Sequence, residues 1–374
     1  VKIRGAVLRE MGLPPPYAES RPLEIAELDL APPGPGELLV RVRAAGLCHS
    51  DLSVIDGSRP RVMPMVLGHE AAGEVVSTGE DVDDFAADDH VVLAFVPTCG
   101  ACPSCASGRE WLCEPGAAAN VAGTLLSGER RLAEASGAEL NHHMGISAFS
   151  DHIVVSQHSA VRVDDDLPFE IAALFGCAVL TGVGAVLNSA DVQPGESVAI
   201  FGLGGVGLSA LLGAVVAGAS SIVAVDVVES KLERARELGA THVVRAGADT
   251  VEAVRDATAG GAEKVIETAG SAEVLAEAYA ATRRGGTTVS VGLPDPSRML
   301  SIPVVSLVTE ERTLKGSYLG SCAPARDIPR FIALHRDGRL PVEQLLSARL
   351  TLDELNEGFD HLAAGEAVRQ VVTL

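Results

Sequence analysis

One segment constrains this chain more than any other: the apolar run Ser197 to Phe201, followed at once by Gly202-Leu-Gly-Gly-Val-Gly207 and a helical stretch reaching Ala217. A short apolar run that ends in glycines and reopens as a helix is a strand–turn–helix unit. The next apolar run, Ser221 to Val225, ends on Asp226, and the alternation then continues. Glu229 to Leu238 has helical periodicity, His242 to Val244 reads as a strand, Val251 to Thr258 as a helix and Lys264 to Glu267 as a strand. Ala272 to Ala281 follows as a helix and Thr287 to Val291 as a strand. Strands alternating with helices of about ten residues build parallel βαβ units and a doubly wound sheet. The weakly polar stretch from Leu208 to Val225 carries serines at 209, 220 and 221 and glycines at 213 and 218, so it reads as helix, turn and strand and not as a membrane span.

A lone G-x-G-x-x-G says little in a chain with 39 glycines. Here Gly202, Gly204 and Gly207, with Gly205 and Val206 between them, sit where a strand feeds a helix. Glycines there permit a tight turn, close approach of the backbone to a pyrophosphate and close helix–strand packing, while the helix start offers N–H groups to phosphate. Asp226, 19 residues beyond Gly207, stands where a carboxylate accepts ribose hydroxyls and repels a 2′-phosphate, which predicts NAD and not NADP. The competing reading is a glycine-rich turn without ligand and a merely solvated acid.

At 374 residues, with 47% hydrophobic and 21% charged residues, the chain suits about two domains with sizeable cores. The 50 acidic against 29 basic residues give a net charge of −21, a field that disfavours nucleic acid and anionic membrane surfaces as partners. The part before residue 180 reads as strands and turns: Ala6 to Leu8, Leu38 to Ala44 and Val91 to Phe95, with Pro-Pro-Gly-Pro-Gly at 32–36 as a turn. The C-terminal part is mixed, with helices over Asp327 to His335 and Leu352 to Ala363 and a strand over Val368 to Thr373. The first residues contain no apolar signal region, and the expected location is the cytoplasm.

Four of the seven cysteines, Cys99, Cys102, Cys105 and Cys113, fall within fifteen residues. Four soft thiolates at this spacing can wrap a tetrahedral ion with no open position, as a structural zinc requires. A pair of disulfides and a nucleic-acid-binding zinc ribbon compete with that reading. The cytoplasmic setting weighs against the first and the acidic charge against the second. A second group is dispersed: Cys48 in Gly-Leu-Cys-His-Ser-Asp, His69 in Gly-His-Glu and Cys177 in Gly-Cys-Ala. Singly, each is explained as a buried hydrophobe-like thiol or a satisfied core imidazole. Together they supply two thiolates and one imidazole and leave a fourth position open, the ligand set for which alcohol dehydrogenase is the standard example. Cys322 reads as a buried free thiol.

In this order, from Gly-Leu-Cys-His-Ser-Asp through the four-Cys loop, Gly-Cys-Ala-Val-Leu-Thr-Gly and Gly-Leu-Gly-Gly-Val-Gly to Val368-Arg369, the motifs resemble the zinc-dependent medium-chain alcohol dehydrogenases over nearly the whole chain. The resemblance implies an α/β protein: a GroES-like β-rich catalytic domain, residues 1–178 completed by 319–374, and an inserted Rossmann NAD-binding domain, 179–318, with the active site in the cleft. It makes Cys48, His69 and Cys177 ligands of a catalytic zinc, with Asp51 orienting His69 and Glu70 behind the metal. Two zincs per chain and NAD are the implied cofactors. The implied reaction moves a hydride between a primary alkyl or aromatic alcohol, or its aldehyde, and NAD(H). Zinc as a Lewis acid lowers the pKa of an alcohol that reaches it. Ser50 is placed to take the hydroxyl proton and pass it to the nicotinamide ribose. His49 and Arg369 match positions near the pyrophosphate. Thr181, Val206 and Val291-Gly292-Leu293 match positions around the nicotinamide, and Lys231 joins the cofactor set.

Phe95, His143, Met144 and Leu319, with Ser50, fall where the family lines its substrate pocket; ordinary core packing is the alternative. Two departures stand out. A His that in many members ends the proton relay is Ser53 here, leaving Ser53, His49 or water for that step. Gly57-Ser58-Arg59-Pro60-Arg61 and Glu114-Pro115-Gly116-Ala117 lack the residues that mark oxidation of glutathione adducts. A thiol-adduct or polyol dehydrogenase remains the rival enzyme, and a non-catalytic zinc-holding homologue the rival of another class. The segment between Cys113 and Phe149 matches the longer, usually dimeric form, so a homodimer is expected. The apolar Met299 to Leu307 reads either as an edge strand pairing across a two-fold axis or as a buried inner strand.

Overall fold

The structure, a computed structural model, describes residues 1–374. It divides into two compact units: Val1–Cys177 with Ala323–Ile332 and Leu346–Leu374, and Ala178–Cys322 with Ala333–Leu345. Residues 319–322 and 333–345, which the sequence reading gave to the first domain, therefore sort with the second. Leu340, Val342 and Leu345 are buried, and Arg234 on helix Glu229–Glu237 donates to the Gln344 carbonyl, which ties that stretch to its neighbours in the second unit.

The first unit is β-rich. Five strands, Lys2–Leu8, Leu23–Leu30, Leu132–Glu134, Glu139–His142 and Met65–Val66, close a barrel. Its core is a cluster including Ile3, Val7, Leu28, Leu132 and Leu140. A seven-stranded sheet runs Ala160–Val163, His90–Leu93, Glu70–Thr78, Glu37–Gly46, Arg369–Thr373, Leu346–Leu350, and His152–Ser156 also pairs with Glu37–Gly46. The antiparallel register sets Gly46 opposite Glu70, which brings the chain just after one strand beside the chain just before the other.

The second unit holds six parallel strands in the order His242–Arg245, Ser221–Asp226, Ser197–Phe201, Ala262–Glu267, Thr282–Ser290, Thr313–Gly316. By chain position this is third, second, first, fourth, fifth, sixth, the doubly wound order with its switch point beside Ser197–Phe201. Ser197–Phe201 is buried throughout because helices cover both faces of such a sheet, which is why it reads as a continuous apolar run and not as an alternation.

Met299 to Leu307 is neither an edge strand nor an inner one. Pro303 starts a helix over Val304–Thr309, and Met299, Val304, Val305 and Val308 are exposed. An apolar run without strict alternation does not specify a strand, and the proline removes a ladder donor at its centre. No helix in the chain is long and apolar enough to cross a membrane.

Candidate active site

Three side chains far apart in sequence meet in the first unit. The sulfur atoms of Cys48 and Cys177 and a ring nitrogen of His69 all lie within 4.8 Å of one another, and all three residues are buried. Each is delivered by local structure. Cys48 caps helix His49–Ile55 where the chain leaves strand Glu37–Gly46. His69 follows Gly68, whose φ of +93° and tight fit against the Phe149 amide exclude a side chain there. Cys177 ends the turn after helix Phe169–Leu174, where Gly176 lies against the Leu93 and Ala173 carbonyls with no room for a Cβ.

Asp51, on the first turn of its helix and fully buried, orients the imidazole: His69 Nδ1 donates to Asp51 Oδ1 at 3.1 Å, and the Gly68 amide donates to the same oxygen at 3.1 Å. That fixes the tautomer and turns His69 Nε2 away from Asp51; Nε2 is buried and meets no hydrogen-bond partner. The hydrogen bond between the two thiols pulls Cys48 well below the usual thiol range and pushes Cys177 well above it. Burial opposes charge on His69, but Asp51 and Cys48 hold it well above its ordinary value. Two sulfurs and an orphaned imidazole nitrogen, with no fourth protein donor in the group, fit a zinc site with one open position. Arg369 is buried as well; its guanidinium donates to the Leu47 carbonyl at 2.8 Å and stands 3.5 Å from Glu70.

Asp51, His69 and His143 also cluster within 4.8 Å. This group does not suit a metal, because the hydrogen on His69 Nδ1 occupies the lone-pair direction that a cation would need.

The four-Cys loop folds as one pocket in the same unit. The sulfurs of Cys99, Cys102, Cys105 and Cys113 lie within 4.8 Å of one another, and all seven cysteines are free of disulfides. Backbone amides point at sulfur: Cys102 N to Cys99 Sγ at 3.3 Å, Cys99 N to Cys113 Sγ at 3.3 Å and Gly116 N to Cys113 Sγ at 3.4 Å. The Ala101 and Cys102 amides draw Cys99 down to about 7, while burial pushes Cys105 up to about 12. Four such thiols ionise together only around a cation, and the closed set fits structural zinc.

In the second unit the glycine turn has the shape a dinucleotide needs. Gly202 has φ of +89°, and a Cβ on Gly207 would collide with the Gly202 carbonyl, so helix Gly205–Ala217 packs directly on the strand. A Cβ on Gly204, by contrast, would meet nothing within 4 Å; the space in front of it is open. Asp226 is held by two amides, Leu203 N to Oδ2 at 2.7 Å and Val228 N to Oδ1 at 3.0 Å, which leaves each oxygen a lone pair for a further donor.

Residues 34–165 match the family "Alcohol dehydrogenase GroES-like domain" and residues 205–336 match "Zinc-binding dehydrogenase". The chain is 39% identical over 376 residues to putative alcohol dehydrogenase D of Mycobacterium tuberculosis, covering all of both proteins. It is 38% identical to the NDMA-dependent alcohol dehydrogenase of Amycolatopsis methanolica, covering all of this chain and 99% of that one. The crystal structure of benzyl alcohol dehydrogenase from Acinetobacter calcoaceticus superposes with a TM-score of 0.93 at 34% identity, over 100% of this chain and 99% of that one. The chain belongs to the zinc-dependent medium-chain alcohol dehydrogenases. It is a zinc-binding oxidoreductase, built from a GroES-like domain and a Rossmann-type parallel sheet.

For an alcohol dehydrogenase the remaining expected residues sort as follows. Phe95 and His143 both stand perpendicular to the His69 ring, with centroids 5.4 Å away, and Met144 is buried next to His143. Leu319 lies in the second unit, in the turn Leu319–Ser321, at φ +51°. Ser53 Oγ donates to the Ser50 carbonyl at 3.0 Å, so this hydroxyl is bound to its own helix. His49 is exposed at the helix start. Thr181 is buried with its hydroxyl oxygen unpartnered, on a helix, Ala178–Gly184, that meets the Val206 carbonyl at Gly182. Val291 and Gly292 amides both donate to the Glu267 carbonyl. Leu293 is exposed, and Lys231 half-buried on helix Glu229–Glu237. Arg369, assigned by resemblance to the pyrophosphate, is 3% exposed and makes its contacts with Leu47 and Glu70.

The reading of the residues missed two features. The first is that His143, expected only as a pocket-lining residue, has Nδ1 3.1 Å from Asp51 Oδ1. The second is Glu267, a buried carboxyl that burial pushes up and that accepts from the Gly270 amide at 2.7 Å. Neither carries a motif; only a strand end followed by Thr-Ala-Gly hinted at the second.

Proposed function

We propose that the chain oxidises primary alcohols with alkyl or aromatic tails, and reduces the matching aldehydes, by hydride exchange with NAD(H). The observation that carries this is the convergence of Cys48, His69 and Cys177 with His69 Nε2 buried and unpartnered, three ligands beside a free position. Zinc bound there supplies Lewis acidity that lowers the pKa of a hydroxyl group, and a second zinc in the four-Cys loop supplies only stability. NAD is the hydride acceptor.

The chain's own residues do the rest. Asp51 holds His69 Nδ1 and so keeps the other ring nitrogen in one direction. Ser50, beside Cys48 in the same helix turn, takes the hydroxyl proton at Oγ while its own proton passes on to the nicotinamide ribose. Gly204 leaves room for the pyrophosphate against the start of the helix, where the first N–H groups lack intrahelical acceptors. Asp226 accepts the adenosine ribose hydroxyls and repels a 2′-phosphate. Phe95 and Met144 supply the apolar surface on which an alkyl or aromatic tail packs. The first unit, residues 1–177 with 323–332 and 346–374, serves as the catalytic domain and the second, 178–322 with 333–345, as the cofactor domain, and the protein works as a homodimer in the cytoplasm.

The test is a metal determination together with NADH formation measured over a panel of straight-chain and benzylic alcohols, S-hydroxymethyl adducts and polyols. Turnover of primary alcohols with NAD supports the reading. A protein that holds zinc but yields no NADH from any of them refutes it.

A further inference from the structure

We propose that His143 is a positioning residue of the metal centre: its imidazole shares the Asp51 carboxylate with His69 and so fixes the direction in which His69 presents Nε2. The inference rests on the zinc reading of Cys48, His69 and Cys177. His143 Nδ1 and His69 Nδ1 each lie 3.1 Å from the same atom, Asp51 Oδ1. A nitrogen lone pair at that distance would be repelled by a carboxylate oxygen, so both rings face Asp51 with N–H. The approach of His143 is at bonding distance but off the straight hydrogen-bond line. With the Gly68 amide, three nitrogens crowd one oxygen, two of them hydrogen-bonded to it, while Asp51 Oδ2 is buried with no partner. Such a carboxylate gains by turning its vacant oxygen toward a donor, and each donor on Oδ1 resists that turn.

Two further observations single out His143. Its ring stands perpendicular to that of His69 at 89° with centroids 5.4 Å apart, and Phe95 does the same, so His69 packs against two rings in T-shaped contact. The turn that presents His143 is strained: Met144 (φ +53°) and Ser147 (φ +63°) are non-glycine residues in the left-handed region. That turn is locked by His143 N donating to Ser147 Oγ at 3.0 Å and Ile146 N donating to the His143 carbonyl at 3.0 Å. A side chain that only filled space would be an apolar one, since a fully buried imidazole loses its hydration without return.

The test is chelator competition on the zinc-loaded enzyme, comparing wild type with His143→Phe, His143→Gln and His143→Asn. An Asn amide can place its N–H where Nδ1–H stands; Gln places it one bond farther, and Phe keeps the ring without a donor. The phase belonging to the catalytic site is identified by its loss in Cys48→Ser, and the four-Cys phase is the internal control. Direct second-layer partners of a metal ligand typically contribute 10–100-fold in affinity, so a partner one step removed is expected to contribute about fivefold. Phe and Gln should weaken the catalytic phase by about that factor and shift the visible bands of the cobalt-substituted protein, with Asn staying within about twofold of wild type. Unchanged affinity in Phe and Gln, or equal loss in all three, overturns the proposal. A wild-type protein with only the four-Cys phase would instead overturn the zinc reading beneath it, and the proposal with it.

Discussion

Two glycines of the same loop should fail in different ways when given a methyl group. In Gly207→Ala the new Cβ would overlap the Gly202 carbonyl oxygen and lie 2.8 Å from Thr268 Oγ1 and 2.9 Å from the Gly202 carbonyl carbon. Most of these atoms are backbone, and Thr268 Oγ1 itself donates to the Gly202 carbonyl at 2.8 Å, so relief requires moving the helix off the strand. Overpacking of this kind costs about 1–3 kcal/mol. For a domain of this size that lowers the melting temperature by about 2–12 °C. In Gly204→Ala the Cβ meets nothing within 4 Å, and φ −72° with ψ −171° suits alanine. The fold then loses only the preference for Gly over Ala at a helix N-cap, under about 1 kcal/mol. The same methyl would stand in the space assigned to the pyrophosphate. Losing one charge-assisted hydrogen bond there costs about 1.5–3 kcal/mol, or roughly 10- to 150-fold in NAD affinity. Differential scanning calorimetry of the cofactor-free proteins and NAD titration by isothermal calorimetry measure the two effects separately. A Gly204 variant that melts as early as the Gly207 variant, or that binds NAD as wild type does, would refute the reasoning.

Three other outcomes follow from the geometry. Cys102→Ser should lower the melting temperature and release about one zinc, because a structural zinc contributes folding free energy directly; an unchanged melt argues against the four-Cys site. Asp226→Asn keeps an acceptor for the Leu203 or Val228 amide but removes the charge, so NADP should be used far better relative to NAD; an unchanged kcat/KM ratio contradicts the role given to Asp226. His142, buried where Nε2 accepts the Arg131 amide, is pushed down to about 3, first by burial and then by Arg130 and Arg131. A folded-state pKa below the unfolded value near 6.5 means stability is lost as pH falls from 6.5 toward 3. Between pH 7 and 5 this amounts to about 2 kcal/mol, and His142→Gln should remove that slope in urea melts.

Five of the six strands of the parallel sheet were legible because short, largely apolar runs alternate with helices of about ten residues, so the period changes at each junction; Thr313–Gly316, short and largely exposed, gave no such run. Gly202, Gly204 and Gly207 were legible for the same reason, as was the four-Cys loop, whose ligands lie within one turn-rich segment. Cys48, His69 and Cys177 were not legible from spacing alone. Their meeting depends on the Gly46–Glu70 register and on Gly176 against Leu93, long-range facts that only the resemblance supplied. The approach of His143 to Asp51 was not legible, because a histidine gives no sign in sequence of which carboxylate it will face. Met299 to Leu307 misled because apolar content without alternation does not distinguish an exposed helix from a strand.

The central claim is that Cys48, His69 and Cys177 jointly hold one ion at which the chemistry occurs. It is tested most directly by zinc content per chain, measured by plasma mass spectrometry on folded wild type and Cys177→Ala, with turnover assayed on the same samples. About two zincs falling to about one, with turnover abolished and the melt of the four-Cys unit retained, is the predicted result. Two zincs retained by Cys177→Ala, or undiminished turnover without the second, would contradict it.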